Sequence, residues 1–233
     1  MQSSLKRTLR EAFIATTPVM AGYIVLGMGF GVLLSTKGYG PLWAFAMSGF
    51  IYAGSMQYLT IDLLTGGASL ITAALTTLLV NARHLFYGIS MVEGYRGMGK
   101  KKPYAIFALT DETYSLVCQD KHETRQERHR FAFLVSVLNQ CWWVSGSMLG
   151  SLLGQVIPFD VTGIDFALTA LFLTVFIEQW LSTRDHVSAV IGVAASVGCL
   201  LLFGADGFLI PAMASILIAL TILRLVRKEA AHE

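Results

Sequence analysis

Long apolar segments separated by short charged stretches run along the whole chain. Neither Ala12 to Thr36 nor Leu63 to Ala82 contains a charged side chain. Each of these stretches has about the length that crosses a bilayer hydrocarbon core of roughly 30 Å as a helix. The pattern predicts an all-α protein with eight apolar segments, near residues 13–35, 41–64, 69–91, 103–119, 131–157, 163–181, 187–203 and 207–226.

The composition supports a membrane protein. Apolar residues make up 55% of the chain and charged residues only 14%, and the mean hydropathy is +0.62. Soluble domains carry about 25% charged residues. The first apolar segment exceeds the roughly 7–15 residues of a signal-peptide core, so we expect it to remain as a membrane helix. We predict one transporter domain, with residues 1–12 and 227–233 in the cytoplasm and 13–226 forming the membrane region.

The positive charges conflict with eight crossings. Short loops rich in Lys and Arg stay cytoplasmic, yet eight crossings would place the 92–102 loop outside. Six full crossings plus two re-entrant or broken segments, 41–64 and 103–119, remove the conflict and put both termini inside. This arrangement places every basic stretch on one side: the N-terminus (Lys6, Arg7, Arg10), 92–102 (Arg96, Lys100, Lys101, Lys102), 120–130 (Lys121, Arg125, Arg128, Arg130), Arg184 and the C-terminus (Arg224, Arg227, Lys228).

A weak internal repeat accompanies this topology. Asn81 and Gly88 have the same spacing as Asn139 and Gly146, and a polar-interrupted segment precedes each pair. The loop after the first such segment is neutral, whereas the loop after the second is strongly basic. Opposite charge in equivalent loops is typical of an inverted repeat, whose interface near the membrane midplane binds substrate.

The first polar-interrupted segment, residues 53–58, predicts part of a substrate site. If the helix unwinds at Gly54, freed backbone groups can bind the charged ends of an amino acid. Small residues and polar side chains also form ordinary packing faces in membranes, so that interpretation stays open. We assign substrate binding to polar or small positions of this segment and its repeat partners: Gly54, Ser55, Gln57, Tyr58, Asn81, Thr110, Thr113 and Asn139.

Two adjacent acids, Asp111 and Glu112, lie in the otherwise uncharged stretch from Pro103 to Gln119. Neighbouring helical positions point about 100° apart, so one acid could face a cavity while the other meets Arg83. We assign proton coupling to these acids, and ion pairing or gating to Arg83 and His84. The alternatives are that both acids sit in headgroup water, and that Arg83 ends a crossing at the cytoplasmic surface.

Signatures of other functional classes do not occur in the sequence. Patterns of zinc proteases, serine hydrolases, nucleotide-binding loops and dinucleotide-binding folds are all missing, and three cysteines at unrelated spacings indicate neither disulfides nor a metal site. We expect no enzymatic activity, cofactor, metal or nucleic-acid partner. Because no nucleotide-binding loop is present, a proton gradient is the expected energy source.

Three motifs in this order resemble the AzlC family of branched-chain amino acid exporters: Ala53–Tyr58, Asn81–Gly88 and Leu109–Tyr114. The resemblance runs from about Pro18 to the last helix. It implies a multi-pass protein of the bacterial inner membrane that exports valine, leucine, isoleucine and their analogues, with methionine as a further candidate. It also implies a small hydrophobic AzlD-type membrane subunit as partner, beside the amino-acid substrate and membrane lipid.

Two other functions remain open from the residues alone. One is a channel for small ions or anions in which Arg83 sets selectivity, and the other is a non-transporting membrane scaffold. Internal symmetry and acids at membrane depth favour transport or conduction over a scaffold. Re-entrant segments occur in both transporters and channels, so only the family resemblance decides between those two.

Overall fold

The computed structural model describes residues 2–118, 120, 122–156, 169, 173, 176–177, 180–181, 183 and 185–230. This part of the chain is helical and contains no strand, as predicted. One π-helical turn (Met47–Ile51) and one 3₁₀ turn (Gly99–Lys101) accompany the α-helices. The α-helices are α1 Gln2–Thr36, α2 Pro41–Ala46, α3 Gly54–Thr65, α4 Leu70–Val80, α5 Ala82–Ser90, α6 Lys102–Phe107, α7 Asp111–Cys118, α8 Arg125–Val156, α9 Val187–Gly207 and α10 Leu209–Ala230.

The chain divides into two compact units. The first unit contains residues 1–73 and 80–168, and the second contains 74–79 and 169–233. The predicted segment 163–181 lies almost entirely outside the described residues.

Helices α1 and α8 form the frame of the first unit because glycines let their backbones touch. A Cβ atom on Gly146 would lie 2.7 Å from the carbonyl oxygen of Ile24, and one on Gly27 would lie 2.9 Å from the amide nitrogen of Ser147. Gly31 and Gly150 meet the opposite backbone more closely still. Glycines spaced four apart on both helices are the small-residue faces that membrane helices use for close packing.

The two segments that were predicted to be broken are both interrupted. The first passes from α2 through the π-helical turn to Tyr52, which is left-handed at φ 46°, and Ala53 (φ −132°, ψ 86°) before α3 begins. The second stops at the end of α6 and resumes at Asp111 in α7. The breaks are therefore confirmed, whereas re-entry of either segment to its own side stays a prediction.

Three boundaries differ from the hydropathy pattern. Segment 69–91, predicted as one crossing, is interrupted at Asn81 (φ −91°, ψ 3°) between α4 and α5. Helix α8 begins at Arg125, inside the basic stretch assigned to a loop, and α1 begins at Gln2. Hydropathy marks membrane depth rather than helix ends, and Arg, Lys and Glu are good helix formers, so these helices extend past their apolar parts.

Helices α9 and α10 form the main part of the described second unit. Large apolar side chains are exposed on both helices, and Leu201 and Leu202 on α9 are 81% and 79% exposed. The backbone of α9 is kinked at Gly204, where φ is 73°. Within the described residues, Leu5–Thr36 and Val187–Gly204 are long and apolar enough to cross a membrane. Apolar side chains exposed on such helices suit contact with lipid.

Candidate functional site

One face of α8 binds both broken segments. Asn139 donates through Nδ2 to the Thr113 hydroxyl (3.0 Å), and Trp143 donates through Nε1 to the Gln57 side-chain oxygen (2.9 Å). Between these contacts, Gln140 donates to the Gly49 carbonyl (2.9 Å) in the π-helical turn and accepts from the Tyr104 hydroxyl (2.6 Å) in α6. Helix α8 therefore holds the two breaks beside each other.

A polar cluster lies where α7 begins. The Tyr23 hydroxyl of α1 donates to Oε2 of Glu112 (2.6 Å) and lies 2.8 Å from Oγ1 of Thr110. Oγ1 of Thr110 accepts from the Thr113 amide (3.2 Å), which caps the helix. The cluster joins one acid of the predicted pair to α1 and to the cap of α7.

The two acids differ in their surroundings. Asp111 is half-buried and Glu112 is exposed within the described residues. The described helices therefore do not bury either carboxylate fully, although the sequence pattern placed both acids at membrane depth. Adjacent helical positions point in different directions, and only Glu112 reaches Tyr23. Glu112 is thus held through one carboxylate oxygen while its side chain remains accessible. The predicted contact with Arg83 stays a prediction, because the Arg83 side chain lies outside the described part of the structure.

Gln57 and Tyr58 hold α3 in place. Gln57 is fully buried, and its amide nitrogen donates to the Ser48 hydroxyl (3.2 Å) while its oxygen accepts from Trp143. Tyr58 is buried and donates to the Leu26 carbonyl of α1 (2.7 Å). A Cβ atom on Gly54 would lie 3.1 Å from the Trp143 ring. In this conformation these residues position the start of α3.

A cavity of about 190 Å³, here called the central cavity, lies where the breaks meet. Pockets for drug-sized ligands measure about 300–1,000 Å³, so this volume suits a smaller solute. Its walls combine aliphatic and aromatic side chains with Tyr52, Asn81 and His84 and with backbone at the interruptions. The lining residues are Ile51, Tyr52, Ala53, Asn81, His84, Gly88, Ile106, Phe107 and Leu109.

Asn81 and His84, at the third interruption, line this cavity. Oδ1 of Asn81 is buried and has no hydrogen-bond partner among the described residues. Nδ1 of His84 lies 3.2 Å from the Asn81 carbonyl oxygen. An unsatisfied acceptor and an imidazole, together with Tyr52, can orient a polar solute among the aliphatic and aromatic walls.

The start of α3 can contribute a further polar group. No side chain caps this helix among the described residues, and its N-terminal neighbour Ala53 lines the central cavity. The first amides of a helix lack partners within the helix and favour anions. The start of α7 differs, since Thr110 caps it and two acids follow. A carboxylate is therefore better suited to the α3 end than to the α7 end.

The structure brings together only part of the predicted site. Asn81 and His84 line the central cavity, while Thr110, Thr113, Asn139 and Glu112 form the cluster behind it. Gln57, Tyr58 and Gly54 pack against α8 and α1, and Ser55 is half-buried in the first turn of α3. Within the part of the chain that is described, no group of three potential ligand side chains could hold a metal ion.

Several residues of this site were missed in the sequence. Tyr23 and Gln140 are single polar side chains on long apolar helices, where they resemble ordinary packing residues. The aliphatic and aromatic walls Ile106, Phe107 and Leu109 carry no polar signal. The position of Tyr23 one helix away from Glu112 depends on α1–α8 packing, which sequence spacing does not report. The only sequence feature that could have pointed to these residues is the pair of predicted breaks, which lie next to the polar motifs.

Comparison with known proteins gives one family match and several relatives. The family described as "AzlC protein" matches residues 18–157. "Branched-chain amino acid transport protein AzlC" of Bacillus subtilis is 42% identical over 223 residues, which cover 96% of this chain and 88% of that protein. An "Uncharacterized membrane protein" of Helicobacter pylori (strain 26695) is 38% identical, covering 94% of this chain and 96% of its own.

A more distant relative and the solved structures complete the comparison. "Inner membrane protein YgaZ" of Escherichia coli is 27% identical over 83% of this chain and 80% of its own. No solved structure is a significant match. The matched range 18–157 contains all three interruptions and the whole of α8. A family match over more than half of the chain and a 42% identical relative along nearly all of it show that this protein belongs to the AzlC family of membrane proteins.

Proposed function

We propose that this protein is a secondary transporter that exports branched-chain amino acids across the bacterial cytoplasmic membrane. The observation that carries the proposal is the central cavity at three helix interruptions, whose walls combine aliphatic and aromatic side chains with polar groups. Interrupted helices at membrane depth are tolerated where they line a cavity, and transporters use their ends to bind charged groups. The name of the 42% identical relative supports this substrate class.

In this proposal, separate groups of the cavity bind the carboxylate, the ammonium group and the side chain of an amino-acid zwitterion. The uncapped start of α3 binds the carboxylate, and Oδ1 of Asn81 accepts a hydrogen bond from the ammonium group. The branched aliphatic side chain contacts the apolar walls, including Ile106 and Leu109. Glu112, held by Tyr23, carries the coupled proton. Burial of one aliphatic side chain supplies about 1.5–3 kcal/mol, which favours valine, leucine and isoleucine over small polar amino acids.

The topology and partner belong to the same proposal. Six crossings, two re-entrant segments and cytoplasmic termini place every basic stretch inside. The first break and the second precede equivalent polar motifs, which supports an inverted repeat whose interface is the central cavity. A small hydrophobic AzlD-type subunit completes the transporter by covering apolar surface of the bundle.

Counterflow in proteoliposomes tests the activity. Vesicles preloaded with unlabelled valine and containing this protein, with and without the small subunit, should accumulate external labelled valine transiently. Preloading with lysine should give no accumulation, because its charged side chain does not suit the apolar walls. A channel would equilibrate labelled valine without stimulation by the preloaded amino acid. A scaffold would leave the vesicles as impermeable as protein-free ones, and either result would refute the proposal.

A further inference from the structure

A second cavity lies at the end of the first unit that carries the basic stretches. It has a volume of about 560 Å³ and is mainly polar. Its lining residues include the basic Arg125 and Arg128 and the acidic Glu93 and Asp120. Arg125 already donates to the Glu93 carbonyl (3.3 Å). The cavity therefore presents both signs of charge to one small volume, and is here called the outer cavity.

Two buried polar atoms, on residues that line the outer cavity, have no hydrogen-bond partner among the described residues. Tyr95 is 2% exposed, and its hydroxyl makes no hydrogen bond to a described residue. The Asp120 side chain is 5% exposed; Oδ1 contacts His122, whereas Oδ2 has no partner among the described residues. A buried polar atom without a partner costs about 1–3 kcal/mol. A hydroxyl and a carboxylate oxygen left in this state suit a bound solute that supplies the complementary groups.

A third cavity of about 370 Å³ shares lining residues with both the outer and the central cavity. It shares Met91 and Tyr95 with the outer cavity, and His84, Gly88, Ile106 and Leu109 with the central cavity. Its remaining lining is mainly aliphatic, with Leu85, Ile89 and Val92. All three volumes are lined by residues of the first compact unit, and Met91 and Tyr95 line both the polar outer cavity and the third, more apolar one.

We propose that the outer cavity is a recognition site for amino-acid zwitterions at the entrance of the transport path. The carboxylate binds Arg128 and the Tyr95 hydroxyl, and the ammonium group binds Oδ2 of Asp120 and the Glu93 carboxylate. The aliphatic side chain points toward Met91, which also lines the third cavity. This inference rests on the proposed function for its substrate class, and it adds a second binding step before the central cavity.

The charge arrangement explains why the site selects a zwitterion. A carboxylate alone meets the acids Glu93 and Asp120, and an amine alone meets the two guanidinium groups, so each loses part of its attraction to a like charge. Hydrogen bonds between ionised partners are roughly twice as strong as neutral ones. A molecule with both charges on one carbon satisfies both sets at once.

Cys118 gives a direct readout of occupancy. It lines the outer cavity and is an exposed free thiol. In full-length protein with Cys141→Ser and Cys199→Ser, the rate of Cys118 modification by uncharged N-ethylmaleimide should fall several-fold as valine is added. Isovalerate and isobutylamine, which each keep one of the two charges of valine, should protect at concentrations at least tenfold higher.

Matched variants assign the protection to the named groups. Arg128→Gln should raise the half-protecting valine concentration roughly tenfold, as expected for loss of one charge-assisted contact. Arg130→Gln makes the same change on the same helix outside the cavity lining and should leave protection unchanged. Tyr95→Phe, which keeps the ring, should weaken protection without altering the rate of modification in the absence of valine.

The outcomes separate this inference from the proposed function. Valine transport by the same protein without valine protection of Cys118 would overturn the entrance site and leave the function standing. Equal protection in the Arg128→Gln and Arg130→Gln variants would also overturn it. Protection without transport would support the binding site and refute the proposed function. Absence of both would refute both.

Discussion

At the scale of single residues, the contact between Gln57 and Trp143 joins α3 to the frame. Replacing Gln57 with Ala leaves the Trp143 indole N–H and the Ser48 hydroxyl without a partner. We expect normal membrane insertion, since removal of a polar group carries no hydrophobic penalty, but a sharp fall in valine export. Export per molecule of protein in membrane vesicles measures the effect, and Gln155→Ala at the exposed end of α8 is the control.

Trp143→Phe distinguishes positioning from direct binding. This variant removes the indole donor while keeping an aromatic ring against Gly54. If Gln57 acts by positioning α3, Trp143→Phe should reproduce most of the loss seen in Gln57→Ala, and the double variant should lose little more. Wild-type export by Trp143→Phe beside an inactive Gln57→Ala would instead show that the amide binds substrate. Wild-type export by Gln57→Ala would assign the whole motif to packing.

Glu112 is the residue in which we expect proton coupling to reside. Glu112→Gln should abolish uphill export yet permit exchange of labelled for unlabelled valine, because exchange needs no net proton movement. Asp111→Asn should reduce abundance or folding more than coupling if Asp111 holds Arg83. Glu123→Gln, at an exposed bend outside the cluster, is the control. Proton-driven uphill export by both Asp111→Asn and Glu112→Gln at normal abundance would place coupling on another residue or ion.

At the scale of elements, the backbone contact between α1 and α8 determines whether the site exists. Every α8 residue that binds a broken segment depends on this helix pair for its position. A side chain at Gly150 would overlap the backbone of Met28, which cannot rotate away as a side chain could. Overpacking of this kind costs about 1–3 kcal/mol or more.

We predict that Gly150→Ala lowers thermal stability. Each kcal/mol corresponds to about 2–4 °C in a chain of this size, so a loss of several degrees is expected. A Cβ atom on Gly22 of α1 would meet nothing within 4 Å, which makes Gly22→Ala the control. Thermal aggregation of the purified protein in detergent measures both. A Gly150→Ala protein as stable as the Gly22→Ala protein would mean that the helices separate at little cost.

At the scale of the whole molecule, the positive-inside rule predicts which side the basic stretches face. In a cysteine-free background, Lys100→Cys and Thr124→Cys should react with an impermeant thiol reagent only from the cytoplasmic side, since both positions are exposed in basic stretches. Ser69→Cys, in the neutral connection before α4, should react from outside. Labelling of position 100 or 124 in intact cells would contradict the two re-entrant segments and restore eight crossings.

The sequence by itself determined the membrane class, the helical fold, the places where two segments break and the family. These features depend on local composition, because apolar length sets membrane depth, and polar or glycine-rich positions interrupt helices. It also identified most polar residues of the site. The break at Asn81 and the start of α8 at Arg125 were missed because charge and hydropathy mark depth, whereas helix ends depend on propensity and on contacts.

Tertiary structure alone decided which polar residues line the central cavity and which hold the helices together. Gln57 and Asn81 are both polar residues at breaks, yet the first is buried against α8, whereas the second lines the central cavity. Tyr23 reaches Glu112 across 89 positions of sequence because glycines bring α1 and α8 into backbone contact. The role of each polar residue follows from how the helices pack against each other, and the local sequence around a residue does not report that packing.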